Sequence, residues 1–477
     1  MDIPIDPAAQ GADLRVLEAD WSQVMGHLLV DGDEHAALLI CGVRKQRGAV
    51  TYLVQQVVPL AGNDFLDRGR DHLAVAPMTL ARHAKRARSA GAAIVLVHSH
   101  PFPGSVVASD IDLRTELDLC RRVLTARTGA PAAALVVGPD GVDARSWTAE
   151  GATPLHTIRV IGERVVTIAS SSRGVPVAGP TGREVATHDV DGTTDRQELL
   201  WGQHGQQKLR QSHVVIVGCG GTGSHVALQL AHLRVGRLTL IDDDRVEPSN
   251  LSRILAATPA DVGRLKAEVL ASICRSINPD LDVAAIPASI LDVDPAAYTG
   301  ADLIICATDG HASRSLLTEV AVQYLVPMID LGVEVVPDTD AFRAGGGVRV
   351  LRPGQGCLWC ARTLSPALVR EEYLSPEQRA CEVRRGYIRD AAEPAPSVVA
   401  LNGVVASLAV LEVCQLLIGM LGSGRSRLLY RAERRALGTV ALDSDPACHV
   451  CGDRGVLARG DAQPVKTRWP YRSVDEG

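Results

Sequence analysis

Apolar runs and amphipathic segments alternate along the first third of the chain. The runs at residues 36–41, 50–58 and 92–97 are continuous enough to predict buried strands. Residues 110–124 instead follow the spacing of an amphipathic helix. These elements predict a mixed α/β domain over residues 15–150.

A second patterned block begins near residue 195. Its predicted elements are a strand at 214–217, a glycine loop, a helix at 223–233, a strand at 237–241 and a later strand at 303–307 followed by a helix. Strands that alternate with helices form parallel sheets, because each crossover helix packs on a face of the sheet. We therefore predict a doubly wound, Rossmann-like sheet over residues 195–455.

The remaining segments have weaker patterns. Residues 151–194 are expected to hold the final strand or strands of the first domain and then a linker, because 173–194 is rich in Gly, Pro, Thr and Asp. Residues 456–477 are expected to be a flexible tail. The apolar stretch at 397–421 is long enough to raise the possibility of a membrane span. Four polar residues interrupt it, so we predict a buried helix and no membrane association: Asn402, Ser407, Glu412 and Gln415.

Composition narrows the functional class. The 477 residues are 46% hydrophobic and 22% charged, which is ordinary for a globular protein of two or three domains. A net charge of -6 gives no indication of a nucleic-acid partner. The first residues show no signal-peptide pattern. Four of the eleven cysteines form two CxxC pairs, which favours metal binding in a reducing cytoplasm over a disulfide framework.

The glycine loop of the second block predicts a nucleotide site. Glycines between a strand and a helix let the backbone approach phosphate, and the helix supplies free N–H groups and a positive dipole end. Asp242, at the end of the next strand, is placed to bind a ribose hydroxyl. These two features fit a nicotinamide dehydrogenase equally well. The loop glycines are Gly218, Gly220, Gly221 and Gly223.

The segments that follow favour ATP. IDDDRVEPSNLSRI, VGRLKAE and CATDGHASR, with the earlier RQ and GQHGQQKL, resemble the family of ubiquitin-activating enzymes and their bacterial relatives of molybdopterin and thiamine biosynthesis (MoeB/ThiF). The resemblance covers about residues 196–452. It implies that ATP and Mg²⁺ are used to adenylate the C-terminal glycine of a small ubiquitin-like or sulfur-carrier protein.

The same resemblance implies roles for individual residues. Asp242 would bind ribose, Asp244 would lie near the phosphates, and Asp309 would hold magnesium. The asparagine and arginine of the SNLxR motif are Asn250 and Arg253, and the lysine of GRLKAE is Lys266. Ile254 stands where the family usually has glutamine. Arg196 would reach the nucleotide of the partner subunit, which implies a homodimer.

These residue types suit the chemistry of adenylation. Attack of a carboxylate on the α-phosphate forms an acyl-adenylate and releases pyrophosphate, so negative charge builds on the phosphates. Arg253, Lys266 and a magnesium ion would stabilise that charge. Each residue alone could be a solvated loop charge, but the whole set in this order favours the site.

Two CxxC pairs, Cys357/Cys360 and Cys448/Cys451, predict a closed structural zinc site with four thiolates. His449 is a rival ligand. The related activating enzymes carry the same two pairs. Other cysteines in apolar contexts are predicted to be core residues: Cys219, Cys274, Cys306 and Cys414.

Cys381 lies in a polar, arginine-rich stretch. Arg379, Arg384 and Arg385 would stabilise a thiolate there. In the resembled family a cysteine of this crossover stretch accepts the carrier as a thioester or takes part in sulfur transfer. The alternative is an incidental exposed cysteine.

The first block carries a second candidate site. His98 and His100 end a predicted buried strand and, at a spacing of two, face the same side. Ser109 and Asp112 then open a helix and fit a simple capping box. The pattern HxHP followed by SxxD resembles the JAMM metalloprotease family, also called JAB or MPN, over about residues 17–147. It implies a catalytic zinc held by His98, His100 and Asp112 with a water.

In that resemblance Glu34 falls on the general base and Ser109 on a residue that stabilises the oxyanion. Two spacings depart from the family. Eight residues separate His100 from Ser109, one more than usual, so Asp110 is a rival ligand. Glu34 is also one residue further from Gly42 than is typical. Both an active peptidase and a decayed, binding-only domain therefore stay open.

Together the two halves predict a cytoplasmic enzyme that adenylates a carrier and also processes or deconjugates it. The carrier is expected to be a separate protein, and a conjugating enzyme or a sulfurtransferase is a further expected partner. The alternatives are sulfur-carrier activation for cofactor, cysteine or siderophore biosynthesis, a peptide-modifying adenylating enzyme, and a binding-only scaffold.

Overall fold

The computed structural model describes residues 10–172, 192–337, 342–385, 388, 396–421 and 427–468. These residues form two compact units. Unit 1 contains the described residues up to 172 together with Gln323–Leu325 and Val456–Pro464, and unit 2 contains the rest.

Unit 1 is a mixed α/β domain. Its strands are β1 (Ala12–Leu17), β2 (Ala36–Gln46), β3 (Ala49–Pro59), β4 (Phe65–Arg68), β5 (Leu73–Val75), β6 (Ala93–Ser99), β7 (Ala132–Gly138), β8 (Gly141–Trp147), β9 (Ala152–Ile161) and β10 (Val165–Ala169). Its helices are α1 (Glu18–Leu28), α2 (Pro77–Ser89), α3 (Asp110–Glu116) and α4 (Thr125–Thr128), with π-helical turns over Leu117–Leu124 between the last two.

The main sheet of unit 1 closes on itself. Its strand order is β1-β3-β2-β6-β7-β8-β9-β10, and an additional pairing joins β1 to β9, so the region is barrel-like. Every residue of β6 is buried, because its alternate side chains enter two cores on opposite sides of the sheet. Val95 and Val97 enter one core, and Ile94 and Leu96 enter the other. This central strand carries His98 and leads to His100.

Unit 2 contains the second block. Its helices are α5 (Asp195–Gln211), α6 (Gly221–His232), α7 (Lys266–Ile277), α8 (His311–Gln323), α9 (Pro366–Tyr373), α10 (Pro376–Arg384) and α11 (Val399–Ile418). Its strands are β11 (His213–Val217), β12 (Arg237–Ile241), β13 (Asp282–Ile286), β14 (Leu303–Cys306), β15 (Met328–Pro337), β16 (Phe342–Leu351), β17 (Arg427–Arg431) and β18 (Ala436–Val440).

The sheet of unit 2 is mixed, which corrects the expectation of a purely parallel sheet. Its order is β13-β12-β11-β14-β15-β16-β17-β18. The first five strands are parallel, as predicted. The last three are antiparallel to their neighbours. The short connections between β15 and β16 and between β17 and β18 permit only antiparallel pairing, since a parallel pair needs a long crossover.

The apolar stretch forms a core helix, as predicted. Within the described residues, α11 is the helix long and apolar enough to cross a membrane, and 61% of its most apolar window is buried inside the fold. Val405, Ala409 and Val413 belong to the main core of the unit, where α11 packs on α6, β15 and β16. The four cysteines predicted to be core residues are also buried: Cys219, Cys274, Cys306 and Cys414.

Two boundary expectations need correction. The helix predicted at 110–124 continues to Thr128 and changes to π-helical turns after Glu116. The expected tail is only partly exposed over its described part, because Val456, Ala458 and Val465 are buried. Residues 469–477, and residues 173–191 of the expected linker, lie outside the described residues.

Candidate active sites

The turn from β11 into α6 forms the glycine loop. Gly218 has a φ of +95°, a conformation that favours glycine, and a Cβ there would overlap the Ala307 carbonyl. A Cβ at Gly223 would overlap the Gly218 carbonyl oxygen, so the first turn of α6 lies directly against the loop. Gly220 is the N-cap, and Gly221 faces the side-chain amide of Asn402. The free N–H groups of this helix end can therefore approach a phosphate.

Asp242 stands beside this loop at the end of β12. Its carboxylate accepts hydrogen bonds from the backbone N–H of Cys219 at 2.6 Å and of Asp244 at 2.9 Å. Burial raises the pKa of Asp242, and the two backbone donors and Lys266 act against that rise. The carboxylate is thereby fixed next to the glycine loop, where the sequence placed the ribose contact.

Lys266 opens α7 and faces the same region. Its Nζ lies 2.7 Å from the Asp244 Oδ2, and its backbone N–H donates to the Asp244 carbonyl at 2.9 Å. The carboxylates of Asp242, Asp243 and Asp244 come within 4.8 Å of one another. Because the Lys266 ammonium already pairs with Asp244, this cluster is a poorer cation site than its acidity suggests.

The SNLxR segment forms a short turn against the glycine loop. Asn250 is buried and its side chain accepts from the backbone N–H of Glu247. Arg253 donates to the Ser249 carbonyl at 2.9 Å, and its Cδ lies 3.6 Å from where a Gly221 Cβ would be. Ile254, which stands where the resembled family usually has glutamine, is buried, so an apolar side chain fills this interior position.

Asp309 is exposed in the turn between β14 and α8. The start of α8 is tied to α9, because the Glu372 carboxylate accepts from the backbone N–H groups of His311 at 3.0 Å and Ala312 at 2.7 Å. His311 Nδ1 also accepts from the backbone N–H of Ser365 at 3.2 Å. The loop that carries Asp309 is therefore anchored at its helical end.

The structure places Arg196 on α5 and Cys381 on α10, rather than in the turns around the glycine loop. Arg196 is exposed on the first turn of α5, near Leu199 and Leu200, which are 82% and 67% exposed. Cys381 is half-buried in α10, a helix rather than an irregular stretch. Arg379, predicted to stabilise its thiolate, instead donates to Glu371 at 3.2 Å.

The two CxxC pairs converge. The Sγ–Sγ distances are 3.9 Å for Cys357–Cys360, 3.6 Å for Cys357–Cys448 and 3.3 Å for Cys360–Cys451. Four thiolates about 2.3 Å from one zinc would be spaced similarly, so the residues fit a tetrahedral zinc. Hydrogen bonds from the neighbouring thiols, first that of Cys451, lower the pKa of Cys357.

The rival ligand His449 lies outside this cluster. Its ring is exposed and contacts the Trp359 ring edge-on, with 5.0 Å between centroids. Backbone N–H groups of Asp445 and Val450 donate to the sulfurs of Cys360 and Cys448 at 3.4 and 3.5 Å. Such second contacts orient metal-binding thiolates, which supports the four-cysteine assignment.

In unit 1 the fold brings His98, His100 and Asp112 together. The Nε2 atoms of His98 and His100 lie 3.3 and 3.4 Å from the two carboxylate oxygens of Asp112. His98 Nε2 is buried and has no hydrogen-bond partner among the described residues. All three ligand atoms lie within 4.8 Å of one another, so the set fits a cation such as zinc. Asp110, the rival ligand, is not in this group.

Glu34 faces the same point. Its Oε1 lies 3.8 Å from His100 Nε2. Burial raises the pKa of Glu34, and the nearby histidines act against that rise. Burial also raises the pKa of Asp112, but the hydrogen bond from His100 and the charge of the nearby His98 outweigh it and hold that pKa well below its usual range. A carboxyl whose pKa is raised suits a general base, and one kept ionised suits a ligand.

Ser109 and Asp112 also form the predicted capping box. The Ser109 Oγ accepts from the Asp112 N–H at 3.1 Å, and the Ser109 N–H donates to the Asp112 carboxylate at 2.6 Å. The simple structural interpretation is therefore confirmed. It does not compete with the metal-site interpretation, because the same cap holds the Asp112 carboxylate towards the histidines.

A buried ion network that the sequence analysis missed supports the loop before α3. Arg145 is fully buried and donates to Glu116 through two contacts of 2.7 Å. It also pairs with Asp143 at 2.9 Å, and Asp143 accepts from the backbone N–H of Ala108 at 2.7 Å. Trp147 donates to Glu116 at 3.1 Å. The network thus ties β8 to both ends of the segment that presents Ser109 and Asp112.

Comparison with known proteins agrees with the geometry of unit 2. The model of the ThiF family matches residues 194–449. The chain belongs to the ThiF family. The SAMP-activating enzyme E1 of Haloferax volcanii is 32% identical over 268 residues, which are 56% of this chain and 90% of that protein. The sulfur carrier protein ThiS adenylyltransferase of Escherichia coli is 33% identical over 251 residues, 52% of this chain and 89% of that protein.

The Escherichia coli molybdopterin-synthase adenylyltransferase is 30% identical over 264 residues, 54% of this chain and 95% of that protein. A crystal structure of Escherichia coli MccB with MccA-N7isoASN shares 24% identity at a TM-score of 0.43, over 55% of this chain and 75% of that one. The glycine loop, Asp242, Arg253, Lys266 and both cysteine pairs lie in unit 2 of this ThiF-family chain, and all but Cys451 lie within the matched residues.

Replacing Arg145 with methionine should lower the free energy of unfolding of unit 1 by about 3–5 kcal/mol, because it leaves Glu116 and Asp143 buried without their cation. The matched control is Arg122→Met, which breaks an exposed pair with Asp118 and should cost about 0.5 kcal/mol or less. Urea denaturation measures both. Equal losses in the two variants would contradict the network's role.

Cys357→Ser should remove about one zinc per chain and lower the melting temperature of unit 2, since a closed site loses one of its four ligands. His449→Ala should keep the metal, because its ring packs on Trp359 outside the cluster. Elemental analysis of the purified variants gives the zinc content. A His449→Ala protein that loses its zinc would show that the four-cysteine assignment is wrong.

Proposed function

We propose that this chain uses ATP and Mg²⁺ to adenylate the C-terminal glycine of a separate small ubiquitin-like or sulfur-carrier protein. The observation that carries the proposal is the convergence of the glycine loop with Asp242, Arg253 and Lys266 at the carboxyl ends of the parallel strands. The names of the relatives, a SAMP-activating enzyme and a ThiS adenylyltransferase, support it.

The residues have distinct tasks in this reaction. A carboxylate oxygen of the carrier attacks the α-phosphorus of ATP, the bond to the bridging oxygen breaks, and pyrophosphate leaves with the electron pair. Arg253 and Lys266 offset the charge that builds on the phosphates. Asp242 orients the ribose. Asp309 supplies an exposed carboxylate for the magnesium ion, whose charge assists the same step when it is bound.

Asp309→Ala and Lys266→Ala should each slow carrier-dependent exchange of labelled pyrophosphate into ATP by about 100-fold or more, because each removes charge stabilisation of the transition state. Arg237→Ala is a matched control, since Arg237 pairs with Asp282 on the surface at the opposite end of β12. Purified small ubiquitin-like carriers serve as substrates. Full exchange by Asp309→Ala would refute the proposed role of that residue.

We also propose a homodimer in which Arg196 acts on the partner's nucleotide. Arg196 is exposed beside Leu199 and Leu200, and an apolar pair so exposed at a helix end suits burial against another subunit. The same exchange assay examines this. A mixture of Arg196→Ala and Asp309→Ala protomers should recover part of the lost rate, because one mixed site keeps both groups. No recovery despite proven subunit exchange would remove the trans role.

Cys381 is proposed to accept the activated carrier as a thioester, or to take part in sulfur transfer instead. Its half-buried position on α10 places it in the segment between the first CxxC pair and α11. A thioester would appear as a carrier adduct on a non-reducing gel that Cys381→Ser abolishes. A persulfide or thiocarboxylate product in mass spectra would favour the sulfur-transfer route to a cofactor, cysteine or siderophore.

A second activity is favoured by the unit 1 site. We propose that unit 1 is a zinc peptidase of JAMM type that processes the carrier precursor or removes the carrier from its targets. The convergence of His98, His100 and Asp112 with the buried Glu34 supports this. The zinc would supply Lewis acidity there. Glu34 would take a proton from the attacking water and pass it to the leaving amine, and Ser109 would donate to the oxyanion.

His100→Ala should remove about one zinc per chain and abolish cleavage of a carrier precursor, while the melting temperature changes little. His72→Ala is a suitable control, because His72 is exposed and pairs only with the surface residues Asp67 and Asp71 in the described chain. Mass spectrometry of the precursor detects the cut. Cleavage that persists in His100→Ala would contradict the peptidase proposal, and zinc binding without any cleavage would indicate a binding-only domain.

A further inference from the structure

Three arginines form a row across one face of the unit 2 sheet, next to the turn that carries Asp309. Arg349 of β16 stands directly opposite Asp330 of β15 on one side and Arg427 of β17 on the other. Paired residues of neighbouring strands project from the same face of a sheet. Arg314, from α8, reaches the same Asp330. We call Arg314, Arg349 and Arg427 the arginine row.

One carboxylate pairs with two of the three arginines. Asp330 is 1% exposed and lies 3.1 Å from the Arg314 Nε and 2.7 Å from the Arg349 Nη1. Arg314 and Arg349 are themselves mostly buried, and Arg427 is half-buried. The Nε groups of Arg349 and Arg427 are buried without a hydrogen-bond partner among the described residues.

This arrangement is unfavourable for an isolated sheet. Like charges directly opposite each other in adjacent strands repel, and Arg349 and Arg427 are such a pair. Burial lowers the pKa of Arg427, and the charge of Arg349 lowers it further. With Asp330 shared between Arg314 and Arg349, the row keeps an excess of positive charge. An anionic group placed against Arg349 and Arg427 would relieve the repulsion between their charges.

The cross-strand row next to the arginine row has few side chains of its own, and the side chains of Arg314 and Leu429 lie over its two glycines. The next cross-strand row on this face is Gly332, Gly347 and Leu429, and two of its three positions have no side chain. Arg314 Nη2 lies 3.1 Å from where a Gly332 Cβ would be, which confirms that the row and the glycines share a face. α11 covers the opposite face, where Val405 meets Gly346.

The row also adjoins the proposed reaction centre. Asp330 is the register partner of Cys306, the last residue of β14, and Asp309 follows three positions later. A peptide whose C-terminus reaches Asp309 could therefore pass over the arginine row with the residues just before its end.

We propose that the arginine row binds an acidic side chain in the C-terminal tail of the protein that this chain activates. The inference rests on the proposed adenylation and names a feature of its substrate. A carboxylate suits the site, because the planar guanidinium pairs with carboxylates through two parallel hydrogen bonds. The charge of this acidic side chain selects the tail, whereas the terminal glycine of the tail reacts.

Fluorescein-labelled hexapeptides test this with the full chain and a non-hydrolysable ATP analogue. Each peptide ends in Gly-Gly and carries one Glu at one of the other four positions, and a matched series carries Gln instead. Fluorescence anisotropy should show the best Glu peptide binding at least about 5-fold more tightly than its Gln partner, as expected for one charge-assisted contact. Arg427→Gln should reduce that ratio to about 1.

Arg431→Gln is the control, because Arg431 lies on the same strand and the same face but is exposed and stands opposite Gly345. It should keep the Glu preference. No Glu preference in the unaltered chain, or a preference that Arg427→Gln leaves intact, would overturn the proposal. Peptides that bind alike, with pyrophosphate binding weakened by Arg427→Gln, would overturn it in favour of a phosphate site.

Pyrophosphate exchange with the same peptides separates this inference from the proposed function. Exchange that proceeds equally with Glu and Gln peptides would leave adenylation standing and refute the tail contact. Binding that depends on Glu and Arg427, without exchange by any peptide or carrier, would keep the acidic-tail surface and refute the activation.

Discussion

The contact of Gly223 with the Gly218 carbonyl is the constraint on which the nucleotide-binding half depends. It lets α6 begin immediately after β11, with its free N–H groups at the carboxyl end of the sheet. Any side chain at Gly223 would push the helix off the strand. The position of α6 in turn determines where α11 packs and where the aliphatic part of the Arg253 side chain lies.

Around that turn, the parallel strands gather the polar groups at one edge. Asp242 ends β12, the Asp309 turn follows β14, and Asp330 lies beside the last residue of β14. Parallel strands bring such residues together because their carboxyl ends all lie on the same side of the sheet. The switch to antiparallel pairing after β15 extends the sheet by three further strands, β16, β17 and β18.

In unit 1, the hydrophobic core and a buried ion network together set the positions of the candidate metal ligands. His98 and His100 extend from a strand whose two faces are both covered, so their positions are set by the core. Asp112 comes from a helix, and its place depends on a capping box and on the Glu116–Arg145–Asp143 network. Such a network is costly if one member is missing, and for that reason it fixes one arrangement of the loop strongly.

The sequence by itself determined the elements whose signal is local. Continuous apolar runs predicted β2, β3, β6, β11 and β12, because a strand that is buried on both faces appears in the sequence as an unbroken run of apolar residues. Glycines between strand and helix predicted the nucleotide loop, and each CxxC spacing predicted a pair of metal ligands, since both signals lie within a few positions. The convergence of the two pairs joins residues 91 positions apart. The choice of Asp112 over Asp110, however, was left open by spacing alone.

Only the tertiary structure decided features that join distant segments. Arg145 meets Glu116 across 29 positions, and Glu372 caps α8 across about 60, so no local pattern marks either contact. Arg379 pairs with Glu371 because α10 packs beside α9, whereas the sequence indicated only a polar stretch around Cys381. The arginine row exists because β15, β16 and β17 adopt one register, which places Asp330, Arg349 and Arg427 side by side. Register is a property of the folded sheet, and a shift of one residue would turn each of these side chains to the other face.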